Sequence, residues 1–150
     1  MPEPRHATAP LVVSVIRTMK AMQAMRQLAP RIHPAVEPSH YPVLFALREG
    51  PLRIGDLAER TLSDASTTSR QVTHLDRHGL VEKLPDPLDG RAQVVGLTGE
   101  GGELVATIAQ RRDGWFAHVL ADWPDEDLRT LATYLDRFTD TLETALRKDR

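Results

Sequence analysis

The segment that decides the fold runs from residue 57 to residue 81 and reads LAERTLSDASTTSRQVTHLDRHGLV. Its first residues predict a short helix that ends near Thr61, and a turn follows. Ser63 or Asp64 can cap a second helix, which Gly79 ends. The residues expected to be buried recur along this second helix at helical spacing: Ala65, Thr68, Val72 and Leu75. Helix, tight turn and helix is the arrangement of a helix-turn-helix module.

The opposite face of this second helix carries short hydroxyls together with Arg and His side chains. Its members are Ser66, Thr67, Ser69, Arg70, Thr73, His74 and Arg77, with Asp76 as the acid among them. Hydroxyls bind phosphates or base edges, and Arg can bond guanine through two hydrogen bonds. Fifteen helical residues span about 22 Å, enough to lie in a major groove that is ~12 Å wide. This face therefore indicates a DNA-reading helix, with an ordinary solvated helix surface as the alternative.

A β-hairpin is predicted directly after this helix. Extended segments at 80–84 and 92–97 flank residues 86–90, where Pro and Gly favour a turn. Arg91 lies close to the hairpin tip, and a narrow minor groove attracts an inserted Arg. The sequence therefore predicts a mainly α (α+β) fold, a winged helix-turn-helix whose wing is the hairpin.

Helices are also predicted on the N-terminal side of this module. Apolar residues at helical spacing indicate a first helix over residues 11–28. Three prolines then break the chain into a turn-rich connector, residues 29–40. Ser39 is the expected N-cap of the following helix, which Gly50 ends.

Two long helices are predicted on the C-terminal side. Thr98 is expected to cap the first of them, whose inner face would carry Leu104, Ile108, Trp115 and Val119. Pro124 and the acids after it open the last helix. A stripe on this last helix repeats at spacings of three and four: Leu128, Leu131, Leu135, Phe138 and Leu142. We expect this stripe to form a dimer seam, and packing within its own chain is the alternative.

The expected organisation follows from these elements. Residues 1–150 form a single chain in which residues 1–9 are a disordered arm. Residues 10–38 and 104–150 form the dimerisation helices, and residues 39–103 the winged helix-turn-helix region.

Composition narrows the function. The absence of cysteine excludes disulfides, thiolate metal sites and Cys nucleophiles. No stretch is apolar enough to span a bilayer and no signal peptide is visible, so we expect a cytoplasmic protein. The net charge is −2, so any DNA affinity must depend on where the charges point.

Several stretches resemble the reading head of the MarR (multiple-antibiotic-resistance regulator) family. They are residues 57–60, 63–72, 78–81 and 86–91, the last followed by 94–98. In that family an Asp-Pro-x-Asp-x-Arg wing leads into an apolar strand ending in Leu-Thr and then a long helix. The resemblance implies these DNA-facing positions: Ser66, Thr67, Ser69, Arg70 and His74 on the helix, and Arg91 on the wing.

The resemblance also implies partners and a mode of action. Members of the family are homodimers that repress or activate promoters, often their own, and many are released by small aromatic ligands bound between the dimerisation helices and the reading head. It implies that Asp89 braces the wing by pairing with a nearby Arg. The chain departs from the pattern at Gly90, which is often a second Arg, and at Thr68 and Gln71, where apolar residues are common.

The sequence favours a DNA-binding regulator that has no cofactor and no metal. Three other functions are compared with it. His74 and His78 have the i, i+4 spacing of metal ligands, which leaves a metal-responsive regulator as one alternative. A winged helix used only for protein contacts is another, and salt-dependent DNA binding would separate it from a regulator. We expect no enzyme, because no phosphate loop, nucleophile elbow or zinc-protease motif is present.

Overall fold

The structure of the protein is a computed structural model that describes residues 8–148. Its elements in chain order are α1 (Thr8–Leu28), α2 (Tyr41–Ala46), α3 (Ile54–Arg60), α4 (Ala65–Arg77), β1 (Val81–Pro85), β2 (Gln93–Leu97), α5 (Gly99–Val119) and α6 (Asp125–Lys148). The helix-turn-helix and the hairpin are therefore present as predicted. Seven residues of the expected arm lie outside the described residues, while its last two, Thr8 and Ala9, belong to α1.

The chain divides into two compact units, the first ending at Ile108 and the second beginning at Ala109. The first unit holds a hydrophobic core to which every element from the connector to the start of α5 contributes. Its fully buried side chains include Val43, Leu44, Leu57, Val72, Leu75, Leu80, Val81, Val95 and Val105. The core therefore joins the short helices, the hairpin and the first turns of α5 into one reading head.

The recognition helix α4 begins and ends as its sequence predicts. Asp64 is the N-cap, because its side chain accepts a hydrogen bond from the backbone N–H of Thr67. Gly79 follows the helix with a φ of +69°, a backbone conformation that favours glycine. Thr68 and its predicted companions Val72 and Leu75 are buried.

One residue of the predicted buried stripe and one predicted cap are wrong. Ala65 is exposed, because it lies in the first turn of α4, beyond the reach of the core. Ser39 does not cap α2, since the chain enters that helix through a short 3-10 helix, Pro38–His40. His40 occupies the N-cap position of α2 and makes no side-chain capping bond there, while its ring accepts the N–H of Glu37 at 3.1 Å.

The wing is an antiparallel pair in which Val81 lies opposite Leu97 and Pro85 opposite Gln93. A third segment joins the sheet at Leu52, which exchanges two backbone hydrogen bonds with Val95, of 3.0 and 2.8 Å. Strand β2 is thus held between β1 and the segment before α3, and residues 86–92 form the tip of the wing.

The start of α5 is fixed against the end of α4. Thr98 caps α5 as predicted, since its hydroxyl oxygen accepts the N–H of Gly101 at 3.0 Å. The same hydroxyl donates to the carbonyl oxygen of Gly79 at 2.6 Å. Gly101 lies so close to the backbone of Leu80 that a Cβ atom there would be 1.9 Å from the Leu80 carbonyl oxygen.

The helices at the two ends of the chain leave much apolar surface exposed. Within residues 8–148, neither α1 nor α6 contains a fully buried side chain. On α5, Leu104 and Ile108 are buried as predicted, but Trp115 and Val119 are 42% and 50% exposed, so their predicted place on an inner face is wrong for the single chain. In the described part of the chain, no helix has the length and apolar character needed to cross a membrane.

Replacing Gly101 tests the close approach of α5 to Leu80. We expect Gly101→Ala to lower the free energy of unfolding by about 1–3 kcal/mol, because the added methyl group meets backbone that cannot give way. Gly102→Ala is the matched control, since nothing lies within 4 Å of a Cβ there and alanine raises helix propensity by up to about 1 kcal/mol. Urea unfolding measures both, and equal effects would contradict the contact.

Candidate nucleic-acid interface

The polar face of α4 lies on the side of the helix opposite the core. Ser66, Ser69 and Arg70 are exposed and Thr67 is half-buried, whereas Thr68 and Val72 face inward with exposures of 0% and 1%. The helical period of 3.6 residues produces this division, because residues three or four apart share a face. Four of the predicted DNA-binding residues therefore lie together on one accessible surface.

The N-terminus of this face is organised by the Asp64 carboxylate. It accepts the Ser66 hydroxyl at 2.6 Å and the Thr67 N–H at 2.8 Å. The hydrogen bonds from Ser66 and Thr67 hold the pKa of Asp64 well below its usual range. The proton of the Ser66 hydroxyl is therefore directed to Asp64, and Ser66 presents its lone pairs outward unless a phosphate displaces that bond.

Arg70 and Ser69 form the central part of the face. One terminal nitrogen of the Arg70 guanidinium donates to the Thr67 hydroxyl oxygen at 3.1 Å, which directs the side chain toward the N-terminus of α4. Within residues 8–148, no side-chain hydrogen bond engages the Ser69 hydroxyl. A steered guanidinium beside an available hydroxyl suits hydrogen bonding to base edges or phosphates.

His74 is placed differently from the other predicted DNA-facing residues. Its ring is half-buried and its Nε2 lies 2.7 Å from the carbonyl oxygen of Ala35 in the connector. The ring also stacks on that of His40, with centroids 4.8 Å apart and planes 5° from parallel. The side chain thus turns toward the connector and not, as expected from its place on the helix, away from the protein.

Sequence reasoning did not predict the contact that Gln71 makes with the connector. Its side-chain nitrogen donates to the Ser39 carbonyl oxygen at 3.1 Å, a second contact between α4 and the connector. Thr68, the other departure from the family pattern, is buried and its hydroxyl donates to the Asp64 carbonyl oxygen at 3.0 Å. The signal was available, because polar residues at positions that are usually apolar require hydrogen-bond partners.

The wing presents Arg91 at its tip. Its side chain is exposed, and its backbone N–H donates to the Asp89 carboxylate at 3.0 Å. In the described part of the chain Asp89 makes no direct ion pair with an Arg, because its carboxylate closes the turn, and its charge acts on Arg53 only from a greater distance. Leu88, beside it, is 93% exposed, an apolar side chain at the outermost point of the wing that sequence reasoning also missed.

The acid that braces the wing is Asp86. Its carboxylate, only 6% exposed, pairs with the Arg53 guanidinium at 2.5 Å and accepts the N–H of Leu88 at 2.8 Å. These hydrogen bonds, that of Leu88 foremost, lower the pKa of Asp86, and the carboxylate in turn raises the pKa of Arg53. The wing tip is thereby tied to the residue that precedes α3, a long-range contact that no local pattern indicates.

A shallow cleft of about 390 Å³ lies beside the polar face. It is bounded by the connector on one side and α4 on the other, and its lining residues are Pro34, Ala35, Glu37, His40, Arg70, Gln71 and His74. In the described part of the chain, no three His, Asp or Glu side chains are grouped so that they could hold a metal ion.

Comparisons with known proteins agree with this geometry. A model of the MarR family matches residues 36–92. The uncharacterized HTH-type transcriptional regulator YxaD of Bacillus subtilis (strain 168) is 33% identical over 103 residues, which are 68% of this chain and 72% of that protein. The chain belongs to the MarR family of transcriptional regulators, and its first unit is a DNA-binding winged helix.

Solved structures are similar over almost the whole chain. A MarR family protein from Bacillus stearothermophilus has a TM-score of 0.76 at 22% identity, covering 93% of this chain and 98% of that one. The PcaV transcriptional regulator from Streptomyces coelicolor, solved in complex with its natural ligand, has a TM-score of 0.65 at 26% identity, with coverage of 93% and 98%. At 22% identity, the similarity to the Bacillus stearothermophilus protein shows a shared fold alone.

Replacing Asp64 tests the cap of the recognition helix. We expect Asp64→Ala to lower the unfolding temperature at neutral pH, because α4 loses the acceptor for Thr67. Since folding lowers the pKa of Asp64, its contribution is complete above the usual value of 3.8 and is lost as the pH falls below it. The difference from wild type, measured by thermal unfolding, should therefore shrink in acid.

Ser63→Ala is the control for this prediction, because Ser63 is the neighbouring residue that could have served as the cap. We expect it to change the unfolding temperature less than Asp64→Ala does. A larger loss for Ser63→Ala, or an Asp64→Ala effect that does not depend on pH, would contradict the assignment.

Proposed function

We propose that the protein is a homodimeric transcriptional repressor that binds a pseudo-palindromic operator in the cytoplasm and is released by a small aromatic effector. The observation that carries the proposal is the juxtaposition on one unit of the exposed α4 face around Arg70 with a braced wing that presents Arg91. A recognition helix and a basic wing together are the means by which winged helices engage the two grooves of DNA.

Each predicted site residue has a role in this proposal. Arg70 bonds a guanine in the major groove, and Ser69 and Thr67 bind base edges or phosphates beside it. Ser66 donates its hydroxyl proton to a nearby phosphate in exchange for its bond to Asp64. Arg91 enters the flanking minor groove. His74 acts on DNA through the orientation of α4, because its ring is bonded to Ala35.

The homodimer is supported by apolar surface on the terminal helices. Along α6 the predicted stripe remains open, with Leu131, Leu135 and Leu142 exposed by 39%, 52% and 47%. On α1, Ile16 and Met19 are exposed by 47% and 65%. Side chains of this size at helical spacing are seldom left in water, and a second copy of the chain can cover them.

The proposed effector is a small molecule that controls binding to the operator. The family resemblance favours a small aromatic molecule, and the related PcaV regulator was solved with its natural ligand. Such a molecule would act by binding the DNA-free form more tightly than the DNA-bound form, which shifts the equilibrium away from the operator.

Two substitutions distinguish a side chain that recognises base sequence from one that mainly adds affinity for DNA. We expect Arg70→Ala to weaken operator binding by about 1–3 kcal/mol and to relax the base preference, because a bidentate contact to guanine is lost. We expect Arg91→Ala to weaken binding with a smaller change in preference, confined to A·T-rich flanks. Competition binding with a panel of single-base operator variants measures both, and wild-type affinity in both variants would contradict the proposed surface.

Footprinting on the DNA upstream of the protein's own gene tests the proposal as a whole. A two-fold dimer must meet a two-fold site, and major grooves on one face of DNA recur every 34–36 Å, or about 10 base pairs. We expect protection over roughly two turns, with dyad symmetry. Inserting about five base pairs at the dyad should abolish it, because half a turn moves one half-site to the far side of the duplex.

Variants of α6 provide the control for this footprint. Leu135→Asp introduces a charge into the proposed seam and should give monomers that do not protect the full site. Thr133→Asp adds the same charge on another face of α6 and should leave the dimer intact. Sedimentation measures the assembly, and a dimeric Leu135→Asp or a footprint that survives the insertion would refute the proposed dimer.

A further inference from the structure

The connector and the recognition helix are joined by three side-chain contacts. His74 Nε2 lies 2.7 Å from the Ala35 carbonyl oxygen, and the Gln71 side chain donates to the Ser39 carbonyl oxygen at 3.1 Å. The third contact is the parallel stack of His40 on His74. The connector is itself anchored in the core through Val36, which is 2% exposed. We call these three contacts the connector clamp.

The clamp acts on the same turn of α4 that carries the reading side chain. Gln71 and His74 follow Arg70 by one and four residues, and all three line the cleft beside the connector. Contacts at two successive positions on one side of a helix fix its rotation about its axis. A change in the clamp therefore alters the direction in which Arg70 points.

We propose that His40 and His74 are positioning residues, and that protonation of His40 in mild acid breaks its bond to Glu37, disturbs its stack on His74 and so loosens α4 from the connector and lowers the specificity of DNA binding. The proposal rests on the proposed DNA-binding function and adds the regulation of its recognition helix. Neither ring needs to contact DNA in this mechanism.

The hydrogen bonds show which ring nitrogens of His40 and His74 carry a proton when the clamp is closed. A carbonyl oxygen only accepts, so His74 Nε2 carries the proton shared with Ala35. His40 Nδ1 accepts the Glu37 N–H at 3.1 Å and is therefore unprotonated. A proton added at His40 Nδ1 turns that acceptor into a donor facing another donor, and it places a positive charge 4.8 Å from the His74 ring.

The surrounding charges divide between those that oppose and those that favour protonation. Arg70 lines the same cleft, and the His78 ring lies 4.8 Å from that of His74, so both would oppose a charged clamp. The Glu37 carboxylate favours it, but Glu37 is also paired with Arg31 at 3.4 Å. Burial of the His40 ring adds to the opposition, so the neutral form of His40 is favoured.

The pKa of His40 is shifted in the direction that favours the neutral ring. Burial, and then the charge of His74, lower its pKa from the ordinary value of 6.5, against an opposing effect of Glu37. For a base whose pKa is lowered on folding, the stabilisation is complete above 6.5 and is lost as the pH falls below that value. The clamp should therefore be closed at neutral pH and weaken in mild acid.

DNA binding separates this effect from simple electrostatics. Added positive charge strengthens attraction to any phosphate backbone, whereas a displaced recognition helix weakens only the reading of bases. The quantity to follow is therefore the specificity ratio, the affinity for the footprinted site divided by that for a scrambled duplex. We expect this ratio to fall about tenfold from about pH 7.5 to about pH 5.5.

The decisive variant replaces both rings without removing their hydrogen bonds. In His40→Asn the amide oxygen can take the place of Nδ1, and in His74→Gln the amide nitrogen can take the place of Nε2, while neither titrates in this range. The double variant should keep the specificity ratio within about twofold across the same pH range. His118→Gln, which removes an exposed histidine of α5, should behave as wild type.

Gln71→Leu supplies a second measurement that does not depend on the double variant folding well. It breaks the bond to Ser39 while keeping the size of the side chain, and it should lower the specificity ratio at neutral pH. If the clamp has only a structural role, Gln71→Leu lowers the unfolding temperature but leaves the ratio unchanged. That result, or a double variant whose ratio falls with pH as in wild type, overturns the proposal.

An experiment without DNA distinguishes failure of the clamp from failure of the proposed function. NMR of the full-length protein follows the His40 ring and the Glu37 amide through the titration. We expect both to change with one midpoint below 6.5, because one proton breaks the bond between them. A midpoint at or above 6.5 refutes the clamp even where DNA binding is normal, whereas a normal titration without sequence-specific binding refutes the proposed function and its regulation together.

Discussion

The contact that the rest of the reading head depends on is the one around the backbone of Leu80. Its N–H donates to the Leu75 carbonyl oxygen at the end of α4, and its carbonyl oxygen accepts the N–H of Thr98 at 3.2 Å. Gly101 packs directly against the same carbonyl group, and the Leu80 side chain is fully buried. The recognition helix, both strands of the wing and the first turn of α5 meet at this one residue. The end of α4 cannot move without disturbing the wing and α5, so the two DNA-facing elements are coupled where they meet.

The parts of this fold that could be predicted are those that local chemistry decides. Asp64, Gly79 and Thr98 each end or begin an element through bonds to residues no more than four positions away, or through a positive φ. Ser39 failed as a cap because α2 begins at Tyr41, which puts His40 and not Ser39 at the N-cap position. The residue at which α2 begins depends on the path of the connector, and that path is set by long-range packing that periodicity does not reveal.

The candidate site likewise has residues whose positions the sequence predicts and residues whose positions it does not. The helical period places Ser66, Ser69 and Arg70 on an exposed face, and the structure has them there. His74 belongs to the same helix but turns toward the connector, because the Ala35 carbonyl group, 39 residues away in the chain, needs a donor. The sequence pointed to Asp89 as the residue that braces the wing. The actual brace is Asp86, whose partner Arg53 lies 33 residues earlier in the chain, too far for a local pattern to indicate. Long-range partners of polar groups were therefore the information that the sequence lacked.

The charge of the chain explains why orientation matters so much in this protein. With a net charge of −2, it has little general attraction for a phosphate backbone. The Asp64 carboxylate, which is ionised at neutral pH, further offsets the positive end of the α4 dipole, where a phosphate would otherwise be favoured. Binding must then come from directed hydrogen bonds, whose strength falls steeply with angle. Helix α4 is held at one end by Leu80 and along its side by the connector, so its side chains keep the orientation that such bonds require. A small loss of that support would lower the base specificity of binding before it lowered the overall affinity.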